Sequence, residues 1–115
     1  MSKIYQSRKG VASRVPRNIY LVCLYLLRDY TRMCSEILTT PKEDEHYTEL
    51  TRITDAIYDA YRTIPETVYQ KALRDHFTRQ KQIRYLAYEY STSEKTLSRW
   101  KSWLIYVVAK NLELI

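Results

Sequence analysis

Apolar residues recur at spacings of three and four along most of this chain, which is the periodicity of a helix with one buried face. The first such stripe follows Asn18, a residue type that favours the position just before a helix. The stripe is broad for one helix, so we expect it to pack against other helices of the chain or of a second copy. Its members are Ile19, Val22, Cys23, Leu26, Leu27, Tyr30, Met33, Cys34, Ile37 and Leu38.

Proline separates the next two predicted helices from their neighbours. Pro41 ends the first helix, because proline disfavours helical geometry in the residue before it. The acidic run 43–45 suits the positively polarised start of a second helix, whose narrow seam is Leu50, Ile53, Ile57, Ala60 and Ile64. Pro65 is expected to begin the third helix, where its missing amide costs nothing. The first two helices most simply form a hairpin.

Residues 83–104 have the pattern of a helix-turn-helix. Ile83, Leu86 and Ala87 indicate a short helix, a break falls at 91–92, and a longer helix then carries Leu97, Trp100 and Leu104 inward. A small residue such as Ala87 leaves room for the second helix to cross the first. In motifs of this kind the second helix commonly enters the major groove of DNA.

Several short motifs follow one another between Ile64 and Trp100. They are Ile64-Pro65, Phe77, Ile83-x-x-Leu86-Ala87 and Ser93-Glu94-x-Thr96-Leu97. In this order they resemble the fourth region of bacterial sigma factors. The run 93–100 is most similar to the recognition helix of small phage regulators of the RinA and ArpU families. That resemblance implies an activator of phage late genes in a bacterial host, although Ser91 and Thr92 replace the glycine and the apolar residue that are usual in the turn.

These patterns together predict an all-α protein with an N-terminal helical hairpin followed by a trihelical helix-turn-helix module. We expect a flexible basic arm over residues 1–17, a hairpin for interaction or dimerisation over 18–63, and a DNA-binding module over 64–115. The arm contains Lys3, Arg8, Lys9, Arg14 and Arg17. It is expected either to contact a phosphate backbone or minor groove, or to remain a solvated tail.

The helix-turn-helix register selects the residues that would contact DNA. With Ser93 capping the second helix through the amide of Thr96, the expected base-facing positions are Glu94, Lys95, Ser98, Arg99 and Ser102. Arg99 is the best candidate for bidentate contact with guanine. The expected phosphate contacts are Arg79, Lys81, Arg84, Ser93 and Lys101. The alternative for each charge is an ordinary solvated helix face.

The charge distribution is consistent with this division. The net charge is +6; residues 65–115 hold nine basic and five acidic residues, whereas residues 41–64 hold three and six. A basic C-terminal segment suits a polyanionic partner. The single glycine, Gly10, excludes most phosphate-cradling loops. His46 and His76 have no partners at metal-ligand spacing, so we expect neither an enzyme nor a bound cofactor or metal.

Double-stranded DNA is therefore the predicted partner, and no association with a membrane is expected. The apolar run 19–27 is too short to span a bilayer, and the cysteine usage suits a reducing cytoplasm. RNA polymerase, contacting an acidic face over 43–49, and a second copy of the chain are further candidate partners. Two competing interpretations are a phage small terminase-like packaging protein and a helical protein-binding adaptor that does not bind DNA.

Overall fold

The computed structural model describes residues 14–115, and within that range the protein is all-helical, as predicted. The helices are α1 (Arg17–Ile37), α2 (Glu45–Arg62), α3 (Thr67–Thr78), α4 (Ile83–Glu89) and α5 (Glu94–Asn111). Most of the predicted arm lies outside the described residues; of its last part, Val15 is buried and Arg17 begins α1. None of the helices described combines the length and the apolar character needed to cross a membrane.

Two predicted helix starts are each wrong by two residues. The residue before α1 is Pro16, whose carbonyl accepts from the Tyr20 amide at 2.9 Å, so Asn18 lies inside the first turn. Pro65 does not begin α3, because Glu66 follows it in an extended conformation as the N-cap. The turn before α3 is instead closed by the Gln70 side-chain amide, which donates to the Ile64 carbonyl at 2.7 Å.

Helix α5 packs against all four other helices and organises the core. The main core draws buried side chains from α1, α2, α3 and α5, with Leu27, Ile57, Phe77, Leu104 and Val108 among those fully enclosed. This core is continuous across the predicted division at residues 63 and 64. The use of residues 18–63 as a separate interaction unit stays a prediction.

A second, smaller core joins α3, α4 and α5. It consists of Ala72, Leu86, Ala87 and Leu97. The two alanines leave little side chain between the helices, which agrees with the predicted close crossing at Ala87. The Tyr90 hydroxyl donates to the Asp75 carboxylate at 3.0 Å and adds a polar link between the end of α4 and α3. The short helix α4 thus packs mainly against α3 and α5.

The apolar stripe of α1 is buried less completely than its sequence pattern predicts. Cys23, Leu27, Tyr30 and Met33 are buried, but Val22 and Leu38 are exposed. Leu21 and Tyr25 are also exposed. Because the neighbouring helices cover one side of α1 only, the stripe is wider than the face they can enclose. The exposed apolar patch of α1 is therefore Leu21, Val22 and Tyr25.

The break between α4 and α5 is a left-handed helix end formed without glycine. Ser91 has φ 53°, its amide donates to the Tyr88 carbonyl at 3.2 Å, and the Thr92 amide donates to the Ala87 carbonyl at 2.9 Å. This pair of bonds is the Schellman arrangement, which usually has glycine at the left-handed position. Gln80 and Glu113 also have positive φ, at 55° and 57°.

Ser91→Gly is expected to stabilise the protein by about 0.5–1 kcal/mol, because glycine avoids the Cβ clash of the left-handed conformation but is more flexible when unfolded. Urea unfolding of both proteins measures the difference. Ser98→Gly, in the exposed part of α5, is the matched control and should destabilise by about 0.5 kcal/mol. A loss of stability in Ser91→Gly as large as in the control would contradict the left-handed turn.

Candidate nucleic-acid interface

The start of α5 presents a polar face to solvent. Ser93 is the N-cap, as predicted, and its Oγ accepts from the Thr96 amide at 3.0 Å. Of the predicted base-facing residues, Glu94, Lys95 and Ser98 are exposed. Leu97 and Trp100 are buried on the opposite side and fix the rotation of the helix. The first two turns of α5 therefore offer three unobstructed positions to a partner.

The remaining two predicted base-facing residues lie closer to the body of the protein. Arg99 and Ser102 are both half-buried, and Arg99 has an interaction within the chain. Ile105 and Ala109 continue the line of Ser98 and Ser102 along the helix, yet both are buried. The face of α5 that carries Ser98 and Ser102 is thus accessible only up to about Ser102, and beyond it this face is buried at Ile105 and Ala109.

Polar bonds to α2 hold the enclosed half of α5 in place. The Trp103 indole donates to the Thr63 hydroxyl at 2.9 Å, and the Asn111 side-chain amide donates to the Ala56 carbonyl at 3.0 Å. Trp103 is half-buried and also packs against Tyr106. Trp103 thus has partners within the chain. Because the second half of α5 is anchored by these contacts, the accessible first turns of the same helix are held in a fixed position.

The predicted phosphate-binding residues of α4 and the connector 79–82 differ in availability. Arg84 is exposed on α4. Arg79 is exposed, with Nε 3.8 Å from an Asp75 carboxylate oxygen. Lys81 is half-buried, with Nζ 3.7 Å from a Glu89 carboxylate oxygen. Arg84 therefore has the least competition for a phosphate, whereas Arg79 and Lys81 already have intramolecular carboxylate neighbours.

The connector is ordered by reciprocal bonds to the end of α3. Gln80 reverses the chain, and the Lys81 amide donates to the Asp75 carbonyl at 3.4 Å. His76 Nδ1 lies 2.7 Å from the Lys81 carbonyl oxygen. A carbonyl oxygen only accepts, so Nδ1 carries the proton of this bond. The side chain of His76 thereby fixes the backbone that places the basic connector.

Lys101 does not lie on the outer face of α5. It is half-buried, and its Nζ is 5.8 Å from the centre of the Phe77 ring. Burial lowers the pKa of Lys101, and the neighbouring Arg28 guanidinium lowers it further. Lys101 is therefore directed towards α1 and α3, away from the exposed positions at the start of α5.

Two basic residues near this site are not evident from the sequence motifs. Arg28 of α1 and His76 of α3 line one cavity together with Lys81 of the connector. Arg28 lies about fifty positions earlier in the chain than the connector, so no local spacing connects them. Only the packing of α1 against α3 and α5 brings Arg28 close to the connector.

Tyr88 of α4 is 86 % exposed. The sequence motifs did not predict this tyrosine as part of the interface.

Comparison of the chain with protein families, with characterised proteins and with solved structures finds no match. In the part of the chain that the structure describes, no group of three or more histidine, cysteine, aspartate or glutamate side chains is arranged to hold a metal ion. The chemistry of the site is therefore argued from its own residues.

The stability of the protein should depend on pH through His76. Burial lowers the pKa of His76, the Lys101 and Arg28 charges lower it further, and the bond to the Lys81 carbonyl partly opposes them. The unfolded chain therefore binds a proton more readily, with a pKa of about 6.5. The stabilising contribution of neutral His76 is complete above that pH and is lost as the pH falls through the folded-state pKa.

His76→Asn is expected to remove this dependence while keeping a donor near the Lys81 carbonyl. The free energy of unfolding in urea, measured from pH 7.5 to 5 in chloride buffer, should fall more steeply for the original protein than for the variant. Every other titratable group is the same in both proteins, so the difference between the two slopes isolates His76. Equal slopes would contradict the lowered pKa.

Proposed function

We propose that this protein binds double-stranded DNA sequence-specifically and regulates transcription, with the first two turns of α5 in the major groove. The observation that carries the proposal is the exposed polar start of α5, which is capped and whose rotation is fixed by buried Leu97 and Trp100. Helix α4, with its exposed Arg84, packs against α5. A rigid helix with a free polar face is the usual means of reading base edges.

Within this proposal the residues of α5 divide by their availability. Lys95 and Ser98 are exposed and can reach base edges without rearrangement. Glu94 can accept from a cytosine amino group. Arg99 remains the proposed guanine reader, and its half-buried side chain would have to extend and exchange its interaction within the chain for one with DNA. Ser102 lies at the limit of the accessible face.

Phosphate contacts would orient the helix in the groove. Arg84 is the foremost candidate, since it is exposed on α4. Arg79 and Lys81 would exchange their carboxylate neighbours for DNA phosphates, and the Ser93 end of α5 approaches the backbone. Contacts of this kind set position and affinity but carry no sequence information. The net positive charge of residues 65–115 favours the association.

The resemblance to RinA- and ArpU-type regulators supports activation of phage late genes, in the cytoplasm of a bacterial host. Activation needs a contact with RNA polymerase, for which the exposed acidic residues Glu43, Glu45 and Glu49 are the candidates. Asp44 has a structural role, since its side chain accepts from the His46 amide as the N-cap of α2. The exposed apolar patch of α1 is the candidate contact for a second copy.

Selection of bound duplexes from a random DNA pool tests the proposal. One enriched motif is expected, and Arg99→Ala should weaken binding to it by about 1–3 kcal/mol while relaxing the preference at one base position. Lys95→Ala is expected to weaken the same complex. Lys110→Ala is the matched control, because Lys110 is exposed at the far end of α5 and its loss removes the same charge.

Three outcomes would contradict the proposal. Binding with a steep salt dependence but no enriched motif would indicate phosphate contacts alone, and together with a ring-shaped oligomer it would favour a packaging protein. No binding at low salt would favour a protein-binding adaptor. If Arg99→Ala and Lys110→Ala reduced duplex affinity equally, the start of α5 would not be the DNA-binding surface, even if one motif were enriched.

A further inference from the structure

A cavity of about 210 Å³ opens where α1, α3 and the connector meet. Its lining is formed by Arg28, His76, Phe77, Gln80, Lys81 and Gln82. Every one of these side chains except Phe77 has a polar or cationic group that can donate a hydrogen bond. None of the lining residues is acidic. One water molecule occupies about 30 Å³ in the liquid, so the cavity is several times larger than a water molecule. A small oxyanion therefore fits in it together with water.

Positive charge is contributed around this cavity by two helices and the connector. Arg28 lies on α1, Lys81 in the connector, and Lys101 on α5, where its Nζ lies over the Phe77 ring that lines the cavity. The charges are close enough to affect each other, since Arg28 acts on both His76 and Lys101. Two carboxylates, Asp75 and Glu89, lie near the connector. Asp75 is engaged by Tyr90 and Arg79, and Glu89 by Lys81.

His76 is oriented for a role in this cavity. Its Nδ1 is occupied by the Lys81 carbonyl, so only Nε2 is left to meet a ligand. A neutral ring would offer Nε2 as an acceptor, which suits an anion poorly. A protonated ring would offer Nε2–H as a donor and add a positive charge. An anion in the cavity would therefore favour protonation of His76 and offset the repulsion among Arg28, Lys101 and the imidazolium.

We propose that this cavity is a binding site for a single phosphate group, held by the Arg28 guanidinium and His76 Nε2–H, while the Lys101 ammonium next to the Phe77 ring adds positive charge. A tetrahedral oxyanion has acceptor oxygens for both donors, and charge-assisted bonds of this kind are short and strong. The group can come from two sources, a backbone phosphate of bound DNA or a free small phosphate. The first source rests on the proposed function, and the second does not.

Sulfate is the probe, because it has the shape and charge of phosphate but does not titrate near neutral pH. It is added to the full-length chain at constant ionic strength, and the amide and His76 ring resonances are followed by NMR at pH 6. Saturable shifts at Gln80, Lys81, Gln82 and His76 are expected, together with a sulfate-dependent rise in the pKa of His76. Arg28→Ala should weaken sulfate binding about tenfold.

Lys110→Ala is the matched control, since Lys110 is exposed at the far end of α5 and does not line the cavity. It should bind sulfate as the original protein does. The site is overturned if sulfate produces no saturable shift at the cavity residues, or if Arg28→Ala and Lys110→Ala behave alike. A shift at the cavity without any change in the pKa of His76 would overturn the role of Nε2–H.

Duplex binding then separates the two sources. If a DNA phosphate occupies the cavity, Arg28→Ala should weaken all duplexes about equally and reduce the salt slope by about one relative to Lys110→Ala. If the ligand is a free phosphate, Arg28→Ala should lose sulfate binding while its duplex affinity matches that of Lys110→Ala. Both results support the site. A protein that binds sulfate but no DNA would refute the proposed function and leave the cavity site standing.

Discussion

The burial of α5 is the constraint on which the rest of this structure depends. One helix of 18 residues belongs to both cores, with Leu97 in the small one and Trp100 to Leu112 in the large one. Its second half packs against α1 and α2, and its first half keeps a polar face in solvent. The exposed face is therefore anchored by the interior of the protein, which favours a fixed geometry for recognition over an adaptable one.

The same packing joins α1 and α2 to the proposed DNA interface. Helix α1 packs against α3 and α5 and brings Arg28 near His76 and Lys101. Four helices thus share one core, and a basic cavity lies where α1, α3 and the connector come together. Helix α1 therefore both covers α5 and adds a positive charge to the surface that would approach a phosphate.

Much of the fold is predictable from local patterns, because helix periodicity and capping depend on neighbouring residues. The Ser93 cap, the inward positions of Leu97 and Trp100, and the close approach at Ala87 are all confirmed. Contacts between residues far apart in the sequence cannot be predicted in this way. The exposure of Val22 depends on how wide a face the other helices cover, and the placement of Lys101 depends on Phe77 and Arg28. Neither follows from spacing along one helix.

The proposed surface for DNA consists of the start of α5, α4, the connector and Arg28. Backbone amide shifts on addition of the selected duplex would locate the surface that binds DNA. Large shifts are expected in residues 79–102 and near Arg28, with little change in the acidic start of α2 or the exposed apolar patch of α1. Shifts confined to α1 and α2, with residues 94–99 unchanged, would show that DNA does not bind at the start of α5.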